Sequence, residues 1–404
     1  MKFLVIAQDL KTLGTSEGIV SRSFLVKLRN TYPESTIDVL YLKSQSSDDQ
    51  LHLLPVNSIE MHVLNLRVPF FTKFKNRLYW RLFHDSLNER YIHKVYGSYI
   101  AKIDYQKYDH IFIRSAGLNH ETILGSKDLP ILKNAIINFH DPYPLFWYAG
   151  STSELSKLEL FRLNIMYQVV RQAKGCMSSA ICMSSDMQYL YGSKKKFYTL
   201  PHQFSPEAFD FSDKRNMLKK TKKVTISYHG AIQFGRNADN LLDAYKDLLA
   251  ENKFLRENTE FILRLRGQDN ARLSKKYEQI QNIKILDCLN FSNSSNEQIY
   301  ETDVTIILEN GPLYCNILVG KAPFLAAYNK PVLVLSPQRS ELRKIIEQDC
   351  YVADMNDIKE IKQKLAFLIE SRLNTKDAVY PFGDYFSDAN FKKSIDEIIS
   401  HTIK

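Results

Sequence analysis

The segment YHGAIQFGRNADNLLDAY joins residue types that can hold a phosphate: Gly230 and Gly235 let the backbone come close to a ligand, and Arg236 stands at what reads as a helix start. Backbone N–H groups and the helix dipole favour an anion there, and a guanidinium adds a bidentate, charge-assisted contact. The plainer alternative is a glycine turn with a solvated arginine. Downstream, RLRGQDN puts Gly267 just after an apolar run, and LENGPLYCNILVGKAPFLAAYNKPVLVLSP sets Glu309, Asn316 and Lys321 between two such runs. Lys321 can give a diphosphate its second cation. The alternative is an exposed lysine and a loop carboxylate.

Loops of this kind need a sheet behind them. The run Lys2–Ala7 is followed by a polar loop with Gly14 and Gly18, then by Ile19, Phe24, Leu25 and Leu28 at helical spacing. Residues 35–42, 111–113 and 135–139 read as further strands, residues 179–183 as a short strand with a helix from Ser184, and a last short strand precedes Pro201. A new cycle begins after Lys223 with VTISYHG and a strongly periodic helix, and continues with strands at 260–265, 283–286, 304–308 and 331–335. Strands alternating with helices imply parallel sheets with crossover helices, and ligands of such sheets bind at the carboxyl edge.

Length and composition agree. A chain of 404 residues suits two lobes, and 44% hydrophobic with 25% charged residues is ordinary for a globular protein that folds throughout. No apolar run approaches the ~20 residues that span a bilayer, and MKFLVIAQDL turns polar too soon for a signal peptide. Five scattered cysteines show no zinc or disulfide spacing, which fits a reducing cytoplasm. A net charge of +9 calls for an anionic partner. No helix-turn-helix, zinc or RNP-like pattern supports nucleic acid as that partner.

The order HG…GR…LLDAY, then RLRGQDN, then GKAPFLAAYNKPVL, resembles the donor-binding half of GT-B glycosyltransferases, especially glycosyltransferase family 4, over about residues 224–345. The resemblance implies an α/β fold of two Rossmann-like lobes facing across a cleft: an acceptor lobe in residues 1–211, a nucleotide-sugar donor lobe in 212–385, and a helix in 386–404 crossing back to the first lobe. Arg236 matches the family's basic residue that grips the donor diphosphate, and Lys321 the lysine of its later segment. Gly230, Gly235, Gly267, Glu309 and Asn316 join them as donor-binding candidates. The chain departs from the family at Ala231, where an arginine is common, and at Pro323 or Phe324, where a glutamate holds the donor ribose.

In the first lobe the resemblance matches Gly14, Thr15 and Ser16 to an acceptor-side loop, and His140 of AIINFHDPYP to a histidine that contacts the donor sugar. The alternative is a satisfied loop histidine. A glycosyl transfer needs its leaving diphosphate stabilised, which makes Arg236, Lys321 and His140 the catalytic candidates. No DxD-like motif stands at a strand end, so no metal is expected, and a nucleotide sugar enters as substrate, with no cofactor. The resemblance implies retention of anomeric configuration, a glycan or lipid-linked acceptor, and work in surface polysaccharide or glycoconjugate synthesis. A nucleotide-sugar 2-epimerase and an inactive scaffold of the same architecture are the competing readings. Finally, residues 67–99 interleave Phe70, Phe71, Phe74, Tyr79, Trp80 and Phe83 with Lys73, Lys75, Arg77 and Arg81, a mixture suited to lying on an anionic membrane at the cytoplasmic face. Packing of those aromatics into the lobe is the alternative.

Overall fold

The computed structural model describes residues 1–12, 16–146, 151, 153–192, 194–267 and 269–401. The chain forms two compact units, one of Met1–Trp147, Thr152–Ala208 and Ser387–Lys404, the other of Tyr148–Ser151 and Phe209–Phe386.

In the first unit β1 (Lys2–Ala7), β2 (Thr36–Lys43), β3 (Ser58–Val63), β4 (His110–Arg114), β5 (Ala135–Phe139), β6 (Gly175–Ser178) and β7 (Phe197–Thr199) make one sheet in the order β3-β2-β1-β4-β5-β6-β7. Every neighbouring pair is parallel. Five of the six residues of KFLVIA are buried, as expected for a central strand covered on both faces. The helices of this unit are α1 (Ser16–Thr31), α2 (Phe70–Phe83), which lies against α3 and not against the sheet, α3 (Leu87–Ile100), α4 (Glu121–Gly125), α5 (Lys157–Gln172) and α6 (Ile181–Tyr191). α5 starts at a capping box in which Ser156 and Glu159 satisfy each other's backbone donors.

Two details differ from the sequence reading. The strand expected at 179–183 lies upstream, at Gly175–Ser178, and Ile181 already opens α6. A four-residue apolar run cannot distinguish strand from buried helix, and here Cys182 and Met183 face the core from the first helical turn. β3 was not foreseen, because SIEMHV sits at the sheet edge with mostly exposed side chains and carries no apolar run.

In the second unit β8 (Val224–Ala231), β9 (Thr259–Arg266), β10 (Ile283–Asp287), β11 (Val304–Leu308), a two-residue β12 (Tyr314–Cys315), β13 (Val332–Ser336), a two-residue β14 (Arg339–Ser340) and β15 (Val352–Asp354) follow. The main sheet runs β10-β9-β8-β11-β13-β15, again all parallel, while β12 pairs only with β14. The helices are α7 (Asp239–Glu251), α8 (Lys253–Asn258), α9 (Asp269–Lys276), α10 (Phe291–Asn296), α11 (Ala322–Ala326), α12 (Glu341–Ile345) and α13 (Ile358–Asn374). A buried ion pair stiffens this unit: the Arg264 guanidinium donates to both carboxylate oxygens of Glu297 at 2.9 and 2.7 Å.

The last helix, α14 (Asp388–His401), belongs to the first unit. Phe391 meets Phe24 of α1 edge-on at 6.1 Å, Ile395, Ile398 and Ile399 are buried, and Tyr32 donates to Asp396. Each buried Ile of this kind contributes about 1.5–3 kcal/mol.

In both sheets the strand order reverses once, between β1 and β4 in the first unit and between β8 and β11 in the second. Ligands of open parallel sheets bind outside the carboxyl ends of the strands at such a reversal.

Candidate functional site

Most of the sequence-derived donor residues gather at the reversal of the second sheet. β8 ends in Tyr228-His229-Gly230-Ala231, and the loop after it crosses to the loop after β11, where the Gly311 amide donates to Phe234 O at 3.1 Å. Gly235, with φ of +79°, presses its backbone on Gly311; an added Cβ would sit 2.8 Å from Gly311 O. At Gly230, with φ of +155°, an added Cβ would collide with Nζ of Lys321. These glycines let a backbone and an ammonium approach where a side chain would keep them apart.

Arg236 ties the two loops together, its Nε donating to Asn310 Oδ1 at 3.1 Å and its Nη1 to Ala231 O at 3.2 Å. It does not begin a helix. α7 starts at Asp239, and Asn237 Oδ1 accepts from the Asp239 and Asn240 amides, so this helix end has its own cap and the arginine stands in the turn before it. Lys321 immediately precedes α11, and its ammonium lies 4.4 Å from the Tyr228 ring centroid. Burial, and secondarily the charge of Arg236, pushes the Lys321 amine down to about 7. Neither cation forms an ion pair with an acid among the described residues. A guanidinium and a lysine poised to take up a proton are thus held together without a counter-charge, an arrangement that a bound anion would stabilise.

The remaining donor candidates surround this pair less directly. Glu309 follows β11 and is fully buried, and no hydrogen bond of good geometry reaches its carboxylate oxygens. Burial raises it to about 7, against a smaller opposing pull from Ser340, Ser336 and the Leu342 amide. Asn316 is buried just after β12. Gly267, φ +113°, follows β9 one strand over and faces open space. His229 is neutral, held far below its usual range by burial, then by Lys321 and Arg264; its Nδ1 lies 2.9 Å from Ser294 Oγ.

In the first unit His140 follows β5 and is 2% exposed. Its backbone amide donates to Ser115 Oγ at 3.1 Å, and its Nε2 lies 3.2 Å from Nη2 of Arg114, the last residue of β4. Because a guanidinium only donates, Nε2 must accept and the proton sits on Nδ1, which has no partner. Burial, then Arg114, His202 and His120, keeps the ring neutral. Of the acceptor-side loop, Ser16 opens α1 and is exposed, while Gly14 and Thr15 lie outside the described residues.

No protein-family model matches this sequence, and no curated protein matches it. Solved structures do. An α,α-trehalose-phosphate synthase (UDP-forming) from Burkholderia vietnamiensis superposes with a TM-score of 0.64 at 9% identity, over 100% of this chain and 99% of that one. A lipopolysaccharide outer core galactosyltransferase in its apo form gives 0.59 at 12% identity over 99% of each chain. The UDP-GlcNAc 2-epimerase of Neisseria meningitidis, bound to UDP-GlcNAc, gives 0.56 at 13% identity over 99% of this chain and 100% of that one. The fold is GT-B.

Within this GT-B chain, sequence reasoning passed over Arg114, Tyr228, His202 and Asn310. Arg114 could have been found: a lone arginine closing the apolar strand HIFIR stands at the carboxyl edge, where side chains meet ligands. Asn310 and Tyr228 show their roles only once β8 and β11 lie side by side. Among the described residues no group of three or more His, Cys, Asp or Glu is placed to hold a metal ion, and no helix is long and apolar enough to cross a membrane.

The basic-aromatic segment divides in two. α3 packs, burying His93, Tyr96, Gly97 and Ile100. No residue of α2 is buried: Phe70 and Phe71 are each 76% exposed, and Phe74, Leu78, Leu82 and Phe83 all exceed 60%. At helical spacing Phe70, Phe71, Phe74, Leu78 and Leu82 form one stripe, flanked by Lys73, Arg77 and Arg81 on one side and Lys75 on the other. The opposite face turns inward: Trp80 lies edge-on to Phe161 at 6.4 Å, and Asn76 Oδ1 accepts from the Asn88 amide of α3 at 3.2 Å.

Proposed function

We propose that this GT-B chain is a glycosyltransferase that takes a sugar from a nucleotide-sugar donor and passes it to a glycan or lipid-linked acceptor in surface polysaccharide or glycoconjugate synthesis. The observation that carries the reading is the Arg236–Lys321 pair, two cations without an acidic partner where the second sheet reverses. In the proposed reaction they bind the donor diphosphate and stabilise the charge that grows on it as the glycosidic bond breaks. His140, fixed by Arg114 with its N–H on Nδ1, donates to the sugar. Transfer proceeds with retention of configuration and no metal. Support comes from the GT-B fold, shared with a galactosyltransferase and a trehalose-phosphate synthase.

The test is incubation with nucleotide sugars. Consumption of donor only when a sugar or lipid-linked acceptor is present marks a transferase. Conversion of the nucleotide sugar itself without acceptor marks a 2-epimerase, and binding without turnover an inactive scaffold.

Donor binding should depend on pH. Lys321 titrates near 7 in the free protein, facing Arg236, the Tyr228 ring and neutral His229, and a diphosphate beside it restores the proton. Affinity for a nucleoside diphosphate is therefore expected to fall as pH rises above 7, by up to about tenfold per unit, with about one proton taken up per ligand at pH 8. Calorimetry in buffers of different ionisation heat measures the proton. A flat affinity from pH 7 to 9 would exclude Lys321 from the site.

α2 supplies a membrane contact at the cytoplasmic face, its apolar stripe entering the headgroup boundary and its flanking cations meeting anionic lipid. The protein is expected to float with anionic liposomes at low salt and be released at high salt, and reversal of Lys73, Lys75, Arg77 and Arg81 to glutamate should abolish flotation. Absence of binding at low salt, or binding unaltered by the reversal, would remove α2 from that role.

A further inference from the structure

Arg114 is 2% exposed and has no acidic partner among the described residues. Its guanidinium lies over the Phe24 ring at 4.3 Å from the centroid, Nε is 3.4 Å from Ser21 Oγ, Nη2 meets His140, and Nη1 has no partner. Around it stand neutral histidines. His202 is 5.5 Å from His140 ring to ring and is held down at about 3 by burial and then by Arg114; His120 packs against the Phe139 and Tyr143 rings. Burial alone brings Arg114 down to about 9. Two donors, Arg114 Nη1 and the Nδ1–H of His140, are thus left without an acceptor at the ends of the neighbouring strands β4 and β5, beside the reversal of the first sheet. An apolar side chain of the same length would avoid the desolvation cost of that guanidinium, so its presence needs a compensating anion.

We propose that the first unit binds an anionic sugar, the carboxylate or phosphate of which is held by the Arg114 guanidinium through its free Nη1. This deepens the transferase reading by naming a substrate class, and it concerns a unit other than the one that holds the diphosphate. Fixed donors with no internal acceptor suit an oxyanion, and the bidentate fork of arginine matches its geometry. A neutral sugar leaves the guanidinium uncompensated.

The test uses the full-length protein, titrated with glucuronate, glucose 6-phosphate and glucose at equal ionic strength, with melting curves for wild type and Arg114→Met. One of the two acids is expected to bind at least about tenfold more tightly than glucose. Preference for glucuronate assigns the site to a carboxylate, and preference for the phosphate to a phosphorylated sugar. Arg114→Met should lose that preference, and without ligand it should melt about 2 to 4 °C higher than wild type, because the uncompensated buried charge is gone. The proposal is overturned if neither acid outbinds glucose, or if the preference survives in Arg114→Met. It is equally overturned if that variant melts lower or fails to fold, which would make the guanidinium structural. Nucleoside diphosphate titrated into the same wild-type sample separates the two questions: binding there with no preference for an acidic sugar sinks this inference and leaves the transferase reading intact.

Discussion

Lys321→Ala is expected to lower kcat/KM for the nucleotide-sugar donor by roughly 30- to 1000-fold, and Arg236→Ala by a similar factor, a loss of about 2 to 4 kcal/mol of transition-state stabilisation for each. Neither side chain has an ion-pair partner whose loss would complicate the result. Their secondary roles differ. Lys321 packs over Tyr228, so its removal should leave the fold intact, whereas Arg236 also bridges Ala231 and Asn310, so Arg236→Ala should loosen the loop pair as well. Because Arg236 disfavours the charge on Lys321, removing either cation relieves the other and softens the single loss, so the double variant should lose more than the sum of the single losses. Steady-state kinetics on the three purified variants checks this; wild-type turnover in both single variants would contradict it.

His140→Ala is expected to lower kcat by roughly 10- to 150-fold, about 1.5 to 3 kcal/mol, while the affinity for nucleoside diphosphate alone stays within a factor of about two. The split follows from place: the proposed partner of His140 is the sugar, and its one uncommitted donor is Nδ1–H. Since burial and Arg114 keep the imidazole neutral, the wild-type rate should show no limb between pH 5 and 8 that disappears in the variant. Equal losses in turnover and in nucleotide affinity would mark His140 as structural.

Much of the fold was legible because its central strands are written as unbroken apolar runs. KFLVIA, AIINF and VTIIL each become a strand at or near the expected place, since a parallel sheet covered on both faces tolerates nothing else. Edges were not legible. SIEMHV pairs with β2 through its backbone while its side chains stay wet, so no hydrophobic pattern announces it, and the three-residue strand VAD is too short to carry one.

Within the site, Gly230, Gly235, Arg236 and Lys321 could be gathered from sequence because glycine and cation spacing after a strand carries the same chemistry wherever it occurs. The resemblance to the GT-B family drew His140 to notice. What holds His140 was hidden: Arg114 lies 26 residues away and meets it only because β4 and β5 are neighbours. The exposure of α2 was undecidable for the opposite reason. FFTKFKNRLYWRLF has enough aromatics to pack and enough cations to stay wet, and only the tertiary structure shows that α3, and not α2, takes the place against the body of the unit.

The most direct test of the donor site is calorimetric titration of UDP, GDP and ADP into the wild type and Lys321→Ala at pH 7 and matched ionic strength. One of the three is expected to bind the wild type and to bind the variant at least about 30-fold more weakly, the loss of a charge-assisted contact of about 2 kcal/mol. A wild type that binds none of them, or a variant that binds as tightly as the wild type, would contradict a donor diphosphate held between Arg236 and Lys321.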